Sequence, residues 1–246
     1  MRNLILFFIL FSILDAKETN LNFQNGNKFY IEKKYNDAIK EYEAILSLGI
    51  ESPEVHFNIA NSYFKINNLG KAILHFEKAN KLDRNSEDIL FNLKYAQAKR
   101  IDKIDLIPEF FLKTWLLNIN NIFSSGIGFI IMYLGFLFGL IFLTVVYFYS
   151  SLNRKVFFVG IILSLLSFCT ILIYEYGESE KSSKVEGIIT TSIVNIKLSP
   201  VRDSEDAFLL HEGTKFILLD NVGDWFKIQL SDGKIGWIES TNFGKI

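Results

Sequence analysis

Three hydrophobic patterns follow one another along the chain. From residue 17 to 101, apolar and small residues recur every three or four positions, which is the period of an amphipathic α-helix. Residues 125–149 and 156–174 are uncharged apolar runs of the length that crosses a bilayer. From 183 to 246, apolar and polar residues alternate between Gly and Asp-Gly turns. The pattern predicts a multi-domain chain: an all-α region, a two-helix transmembrane hairpin and a small all-β domain.

A set of residues in the helical region repeats after 34 positions. Gly26, Phe29, Tyr35, Ala38 and Tyr42 recur as Ala60, Tyr63, Leu69, Ala72 and Phe76. This period, with small residues among aromatic ones, resembles the tetratricopeptide repeat (TPR), a helix–turn–helix unit that stacks into a superhelix. Ala38 and Ala72 are expected to be buried where helices cross. We expect helices at 21–33, 36–48, 54–66 and 70–82.

The TPR resemblance also predicts a binding surface. Segment 87–100 continues the helical pattern and is expected to be the capping helix that a short array needs. In TPR units the inner surface is lined by the first helix of each unit. The residues at these positions mix amides with aromatic rings, which suits a peptide held by hydrogen bonds and apolar pockets: Asn27, Tyr30, Ile31, Phe57, Asn61 and Phe64.

The apolar segments outside the repeats predict a membrane protein. Residues 1–16 have a basic start, an apolar core and Ala16 as a cleavage point, which is typical of a signal peptide that is either removed or kept as an anchor. Segment 102–124 is aromatic and amphipathic, and it is either a membrane-interface helix or a packed linker. Gly135 and Gly139 permit close helix packing, with the second span or with another copy.

The alternating region resembles the bacterial SH3-like module, a barrel of five or six strands. The resemblance rests on FLLHEGTKFILLD (208–220), VGDWFKIQL, SDGKIGWIES and FGKI. Gly213 and Gly236 are expected at turns or bulges. Trp225 and Trp237 either fill the core of this small domain or line a ligand groove.

No pattern in the chain points to catalysis. His56 and His75 lie at helical repeat positions, where packing or a solvated surface is expected, and the third histidine is His211. No HExxH, CxxC or glycine-rich phosphate loop occurs, and Cys169, within the second span, has no partner for a disulfide. A net charge of −1 gives no reason to expect nucleic acid. We expect a protein that is not an enzyme, with no cofactor and no metal.

The order of segments resembles the TPR/SH3 membrane protein of bacterial Bat (aerotolerance) operons. Residues 92–115 and 209–225 carry this resemblance. It implies von Willebrand A-type Bat proteins as partners and a role in oxygen tolerance or envelope stress. The expected function is a membrane-anchored protein-interaction scaffold. The alternative is an envelope sensor that binds peptidoglycan.

Charge around the apolar runs predicts the orientation in the membrane. Arg154 and Lys155 lie in the short loop between the two spans, and basic short loops stay in the cytoplasm. Both folded domains are therefore expected on the periplasmic side of the inner membrane. Lys99 and Lys103, before the first span, argue for the opposite orientation, but they belong to a segment that the signal would export.

Overall fold

A computed structural model describes residues 19–104, 126–148 and 154–246. The predicted signal peptide and most of the predicted amphipathic segment lie outside these residues. The chain forms two compact units. One unit combines Met1–Leu106 with Val185–Ile246, and the other is Ile107–Lys184.

Five helices form the first part of the larger unit, where the sequence predicts two repeats and a cap. Side-chain oxygens cap three of them: Ser52 accepts from the Val55 N–H, Asn68 from Lys71 and Ser86 from Ile89. Pro53 is the first residue of its helix, one position before the predicted start at residue 54, and its missing N–H costs nothing there. The helices are α1 (19–31), α2 (Tyr35–Ser47), α3 (Pro53–Lys65), α4 (Leu69–Leu82) and α5 (Glu87–Ala98).

The backbone conformation of the turns also repeats after 34 residues. Lys33 and Asn67, which are 34 positions apart, both adopt left-handed φ angles, of 62° and 60°. Each donates its N–H three residues back, Lys33 to the Tyr30 carbonyl at 3.0 Å and Asn67 to the Phe64 carbonyl at 3.1 Å. The α1–α2 and α3–α4 turns are therefore the same structure, which confirms the repeat.

The repeat core is built from the positions that the period predicts. Ala38 and Ala72 are fully buried, as expected. A Cβ atom on Gly26 would lie 2.5 Å from the Tyr42 ring, so only glycine fits there. Tyr42 and Phe76 are both buried, and each contacts a ring on the first helix of its unit, Phe23 and Phe57 respectively.

The β domain is an antiparallel sheet of seven strands, so the prediction of five or six was too low. The two strands before residue 200 were not predicted from the sequence. Gly213 lies in a turn with φ of 83°, as predicted, but Gly236 lies inside a regular strand where it packs against Ile196. The sheet order is β3-β2-β6-β5-β4-β1-β7. Its strands are β1 (Glu186–Ile189), β2 (Ile193–Lys197), β3 (Asp206–His211), β4 (Lys215–Val222), β5 (Trp225–Gln229), β6 (Ile235–Glu239) and β7 (Phe243–Lys245).

The repeats and the β domain pack together, which the sequence does not predict. Ile188 of β1 belongs to the same buried cluster as the repeat core. A Cβ atom on Gly70 of α4 would lie 2.6 Å from the Ile189 carbonyl oxygen, and Gly244 of β7 packs against Leu74 of α4. The repeat core therefore extends into the β domain, which keeps a second buried cluster of its own.

In the described part of the second unit there are two helices, α6 (Gly126–Phe148) and α7 (Arg154–Ser183). They pack through small residues: a Cβ atom on Gly139 would lie 3.4 Å from Ser164, and Gly160 contacts Phe142. The predicted contact of Gly139 with the second apolar helix is therefore present. Helix α7 extends beyond the predicted span and ends at Ser183, where the β domain was expected to begin. Among the described residues, one stretch, Phe158–Tyr176, is long and apolar enough to cross a membrane, and Tyr133–Val145 is a shorter apolar stretch.

Candidate functional site

The first helices of the repeats, α1 and α3, lie side by side with α5, and together they form one surface of the array, here called the first-helix face. Asn58 of α3 donates to Asn27 of α1 at 3.3 Å, and Phe64 of α3 contacts Tyr95 of α5 with ring centroids 5.7 Å apart. All six predicted groove residues lie on these helices. They differ in how free they are to bind a partner.

Three of the predicted residues are partly engaged in the fold. Asn27 also accepts a hydrogen bond from the Tyr42 hydroxyl at 2.7 Å, so its carbonyl oxygen is used twice within the array. Tyr30 packs edge-on against Tyr35, and burial raises the pKa of the Tyr30 hydroxyl. Phe57 directs its ring against Phe76 of α4.

The other three are more open. Ile31 is 79% exposed. Asn61 is half-buried, and its amide has no hydrogen-bonding partner in the part of the chain that the structure describes. Phe64 is half-buried between α3 and α5. The prediction is thus most useful at the end of the face nearest α5.

Sequence reasoning missed the contribution of α5 to this face. Tyr95 is 52% exposed, and Lys99 places its ammonium 5.0 Å from the Phe64 ring centroid and 5.1 Å from that of Tyr95. The signal was present in the period, since Tyr95 follows Asn61 by 34 positions. The sequence predicts segment 87–100 only as a capping helix, so its side chains were not included in the predicted binding surface.

The other side of the array is covered by the β domain. Glu212 accepts a hydrogen bond from the Gly70 N–H at 2.7 Å, which places a carboxylate at the N-terminus of α4. Lys215 lies between two carboxylates, 3.2 Å from buried Glu77 and 2.8 Å from Glu186. Although burial would lower the pKa of Lys215, these two carboxylates raise it. Helix α4 is therefore held by charge as well as by apolar contact.

Asp102, after α5, joins the array to the turn between β3 and β4. Its carboxylate accepts from the His211 N–H and the Thr214 hydroxyl, each at 2.7 Å, and lies 2.8 Å from His211 Nδ1. Burial would raise the pKa of Asp102, but the hydrogen bonds from His211 and Thr214 outweigh it and lower the pKa. This Asp–His pair fixes two segments together, a role that the sequence did not predict.

His56 and His75 form a buried pair inside the second repeat. Their Nδ1 atoms are 3.0 Å apart, and His56 Nε2 lies 2.6 Å from Glu51. His75 stacks on Tyr63, and burial lowers the pKa of His75 to about 3. A neutral His75 packed against other rings agrees with the packing role that was expected.

The two tryptophans of the β domain do not fill its core. Trp225 and Trp237 alternate along their strands with Ile228 and Ile238, which are fully buried. Both tryptophans therefore lie on the outer face of the sheet, where they are half-buried. Lys227 is opposite Trp237 in the register. The core interpretation was wrong, and the ligand interpretation stays a prediction.

The described residues offer no arrangement for metal chemistry. In the ranges given above, no group of three or more His, Cys, Asp and Glu side chains could hold a metal ion. Cys169 is exposed on α7 as a free thiol.

Comparison with known families identifies the helical hairpins. The tetratricopeptide repeat family matches residues 53–86, which contain α3 and α4. The described array is thus a TPR-like protein-interaction module followed by an antiparallel β domain. No curated protein matches the chain.

Two solved structures are similar to part of the chain. One is the TPR2B domain of yeast Sti1 in a complex with pHsp70, at 20% identity and a TM-score of 0.32, covering 33% of this chain and 66% of that one. The other is the first TPR of Spaghetti (RPAP3) bound to the HSP90 peptide SRMEEVD, at 16% identity and a TM-score of 0.20, covering 33% of this chain and 92% of that one.

Proposed function

We propose that this protein is a membrane-anchored scaffold whose first-helix face captures a segment of a protein partner. The observation that carries the proposal is that one side of the array is covered by the β domain and the other side is accessible. The β domain covers α4, whereas the opposite face keeps the Asn61 amide and the Phe64 and Tyr95 rings accessible. An amide between aromatic rings suits an extended peptide, because it pairs with the peptide backbone while the rings take its side chains.

Crosslinking in the native membrane followed by mass spectrometry tests this role. Replacing Tyr30 and Asn61 together with alanine should abolish capture of the partner while the protein stays helical by circular dichroism. Lys40→Ala, an exposed change on α2, is the matched control and should leave capture intact. If a well-folded double variant captures the same proteins as the wild type, the first-helix face is not the binding site.

Membrane anchoring is supported by the way the chain leaves and re-enters the larger unit. Ile104 packs against the β-domain core, and the Val185 carbonyl accepts the Leu218 N–H at 2.8 Å. The residues on both sides of 105–184 therefore belong to one folded body. A chain that leaves and returns to the same body crosses a bilayer an even number of times, which favours a two-helix hairpin of α6 and α7.

The proposed orientation places the repeats and the β domain in the periplasm, on the outer side of the inner membrane. The basic pair Arg154 and Lys155 at the start of α7 supports it. Alkaline phosphatase fused after Ile246 through a flexible linker should be active, and the same enzyme fused after Asn153 should be inactive. The reverse pattern of activity would overturn this orientation.

The resemblance to Bat-operon proteins supports a narrower role, the assembly of an envelope complex linked to aerotolerance. The von Willebrand A-type Bat proteins are then the partners to seek among the crosslinked products. Their absence from the products of the wild-type protein, while other partners are captured, would separate the scaffold role from the Bat complex.

A second candidate function, peptidoglycan binding, is favoured by the outward position of Trp225 and Trp237. Two half-exposed indoles on one face of a sheet form an apolar platform that a folded core does not need. In sedimentation with purified cell walls, Trp225→Ala and Trp237→Ala should each reduce the bound fraction. Leu209→Ala, which removes an exposed side chain of β3, should not. Equal sedimentation of all variants would exclude the tryptophans as the site.

A further inference from the structure

An aromatic surface at the α5 end of the first-helix face is exposed among the residues that the structure describes. It consists of Phe64, Phe91 and Tyr95, here called the aromatic shelf. Phe91 and Tyr95 are four residues apart and share one side of α5, where they are 70% and 52% exposed. The repeat equivalents of Phe91, Phe23 and Phe57, each contact a ring of the following helix. The rings of Phe23 and Phe57 are thus packed against a second ring, whereas the ring of Phe91 is exposed.

Unpaired positive charge adjoins the aromatic shelf. Lys99 lies over the Phe64 and Tyr95 rings, and Lys65 and Lys94 are exposed at the same end of α3 and α5. Within the ranges that the structure describes, none of these three lysines forms a salt bridge. Lys215, by contrast, is paired with Glu77.

The acidic residues of α5 lie far from the ammonium of Lys99. Glu87 and Asp88 are in the first turn of the helix. Lys99 follows Asp88 by 11 positions, which at 1.5 Å per residue is about 16 Å along the axis. At that distance, beyond the screening length in physiological salt, the interaction is weak. The carboxyl end of α5 is therefore both aromatic and cationic.

We propose that the segment bound by the first-helix face is acidic and carries a large apolar side chain beside its carboxylates. This inference rests on the proposed scaffold function and specifies the chemistry of its partner. The apolar side chain covers the aromatic shelf, and a carboxylate pairs with the Lys99 ammonium.

Both features of the segment are needed for physical reasons. An apolar segment without acid would cover Lys99 and remove water from an ammonium that has no counter-charge, which is unfavourable. An acidic segment without an apolar side chain would leave Phe91 and Tyr95 in water. A basic segment would be repelled by Lys65, Lys94 and Lys99 together.

Fluorescence anisotropy with three labelled synthetic peptides tests this preference on the full chain in neutral-lipid nanodiscs. The first peptide combines Glu with Leu and Phe, the second has Lys in place of each Glu, and the third has Ser in place of each apolar residue. Only the first should bind, and its affinity should fall as salt rises.

Variants then locate the binding. Tyr95→Ala should weaken the first peptide about tenfold, and Lys99→Gln about threefold, as expected for a partly exposed charge pair. The matched control is Lys71→Gln, because Lys71 lies over the Tyr63 ring, on the side of the array formed by α4. It should leave the affinity unchanged. Circular dichroism checks that each variant is folded.

The outcomes distinguish this inference from the function on which it rests. Equal binding of the acidic and basic peptides, or an affinity that Lys99→Gln and Tyr95→Ala do not change, overturns the acidic-segment proposal. If no peptide binds but crosslinked capture still depends on Tyr30 and Asn61, the scaffold function stands and the partner chemistry is wrong. If instead the protein binds vesicles of anionic lipid and Lys99→Gln abolishes that binding, the surface is a membrane contact.

Discussion

The contact between the two repeats and the contact between the repeats and the β domain are built from different chemistry. In the first, small and aromatic residues recur at matching positions of both repeats and belong to one buried cluster, with Ala72 and Phe76 repeating Ala38 and Tyr42. The second combines apolar packing with an ion pair, Glu77–Lys215, whose residues are 138 positions apart. The packing of the repeats follows the 34-residue period of the sequence. The contact between the repeats and the β domain depends on single residues, far apart in sequence, that no repeat pattern identifies.

The first prediction has the largest expected effect and tests whether the repeats and the β domain unfold as one cooperative structure. Ile59 is fully buried in the repeat core, and Ile59→Ala should cost about 2–5 kcal/mol in free energy of unfolding. Because the repeat core includes Ile188 of β1, the β domain should be destabilised by the same amount. Helical circular dichroism and tryptophan fluorescence, followed during denaturation of the full chain, should shift together. If only the helical signal shifts, the two domains unfold independently.

The second prediction removes the charge that connects the repeats to the β domain. Lys215→Met keeps an apolar stem but leaves Glu77 buried without its cation, and it should cost about 2–3 kcal/mol. This is less than the roughly 3–5 kcal/mol of a fully buried pair, because Lys215 is about one-third exposed. Lys234→Met is the matched control, since Lys234 pairs with Asp232 on an exposed hairpin. Equal losses in urea denaturation would show that the buried pair has no special role.

The repeats could be predicted in detail because one physical rule generates many observations. A 34-residue shift gives the buried alanines, the aromatic pairs and the turn at Asn67. The alternation predicts the extent of the β domain, 183–246, but its first two strands are not among the segments that carry the SH3-like resemblance. The strand alternation could have placed the tryptophans correctly, since Trp225 and Trp237 alternate with Ile228 and Ile238.

The candidate site was only partly predictable. Positions on α1 and α3 follow from the repeat, but whether a side chain is free depends on contacts that the period does not specify. Asn27 and Asn61 are equivalent in sequence, yet Asn27 is bound by Tyr42 and Asn58. The β-domain contact through Asp102 could not be predicted, because a lone aspartate after a helix has no distinguishing pattern.

The third prediction tests the repeat side of the comparison. Ala72 is fully buried, and Ala72→Leu should overpack the array and cost about 1–3 kcal/mol. Ala44→Leu on α2, at a partly exposed position, is the control and should be nearly neutral. A melting temperature of Ala72→Leu within error of the wild type would contradict the burial on which the repeat register depends.

The smallest expected effect concerns pH and the contact made by Asp102. The pKa of Asp102 in the folded protein lies below its ordinary value of 3.8. A lowered carboxyl pKa contributes stability that is fully present above the unfolded pKa and is lost as pH falls through the folded pKa. Asp102→Asn should therefore be less stable than the wild type at neutral pH, and this difference should shrink as pH falls below about 4.

Denaturation at a series of pH values measures that difference. The loss should arise from the carboxylate itself, which accepts hydrogen bonds from the His211 N–H and the Thr214 hydroxyl. Asp37→Asn, at an exposed ion pair on α2, is the matched comparison outside this contact. A constant difference between Asp102→Asn and the wild type across the acid range would mean that Asp102 holds the β3–β4 turn by shape, and that its charge contributes nothing.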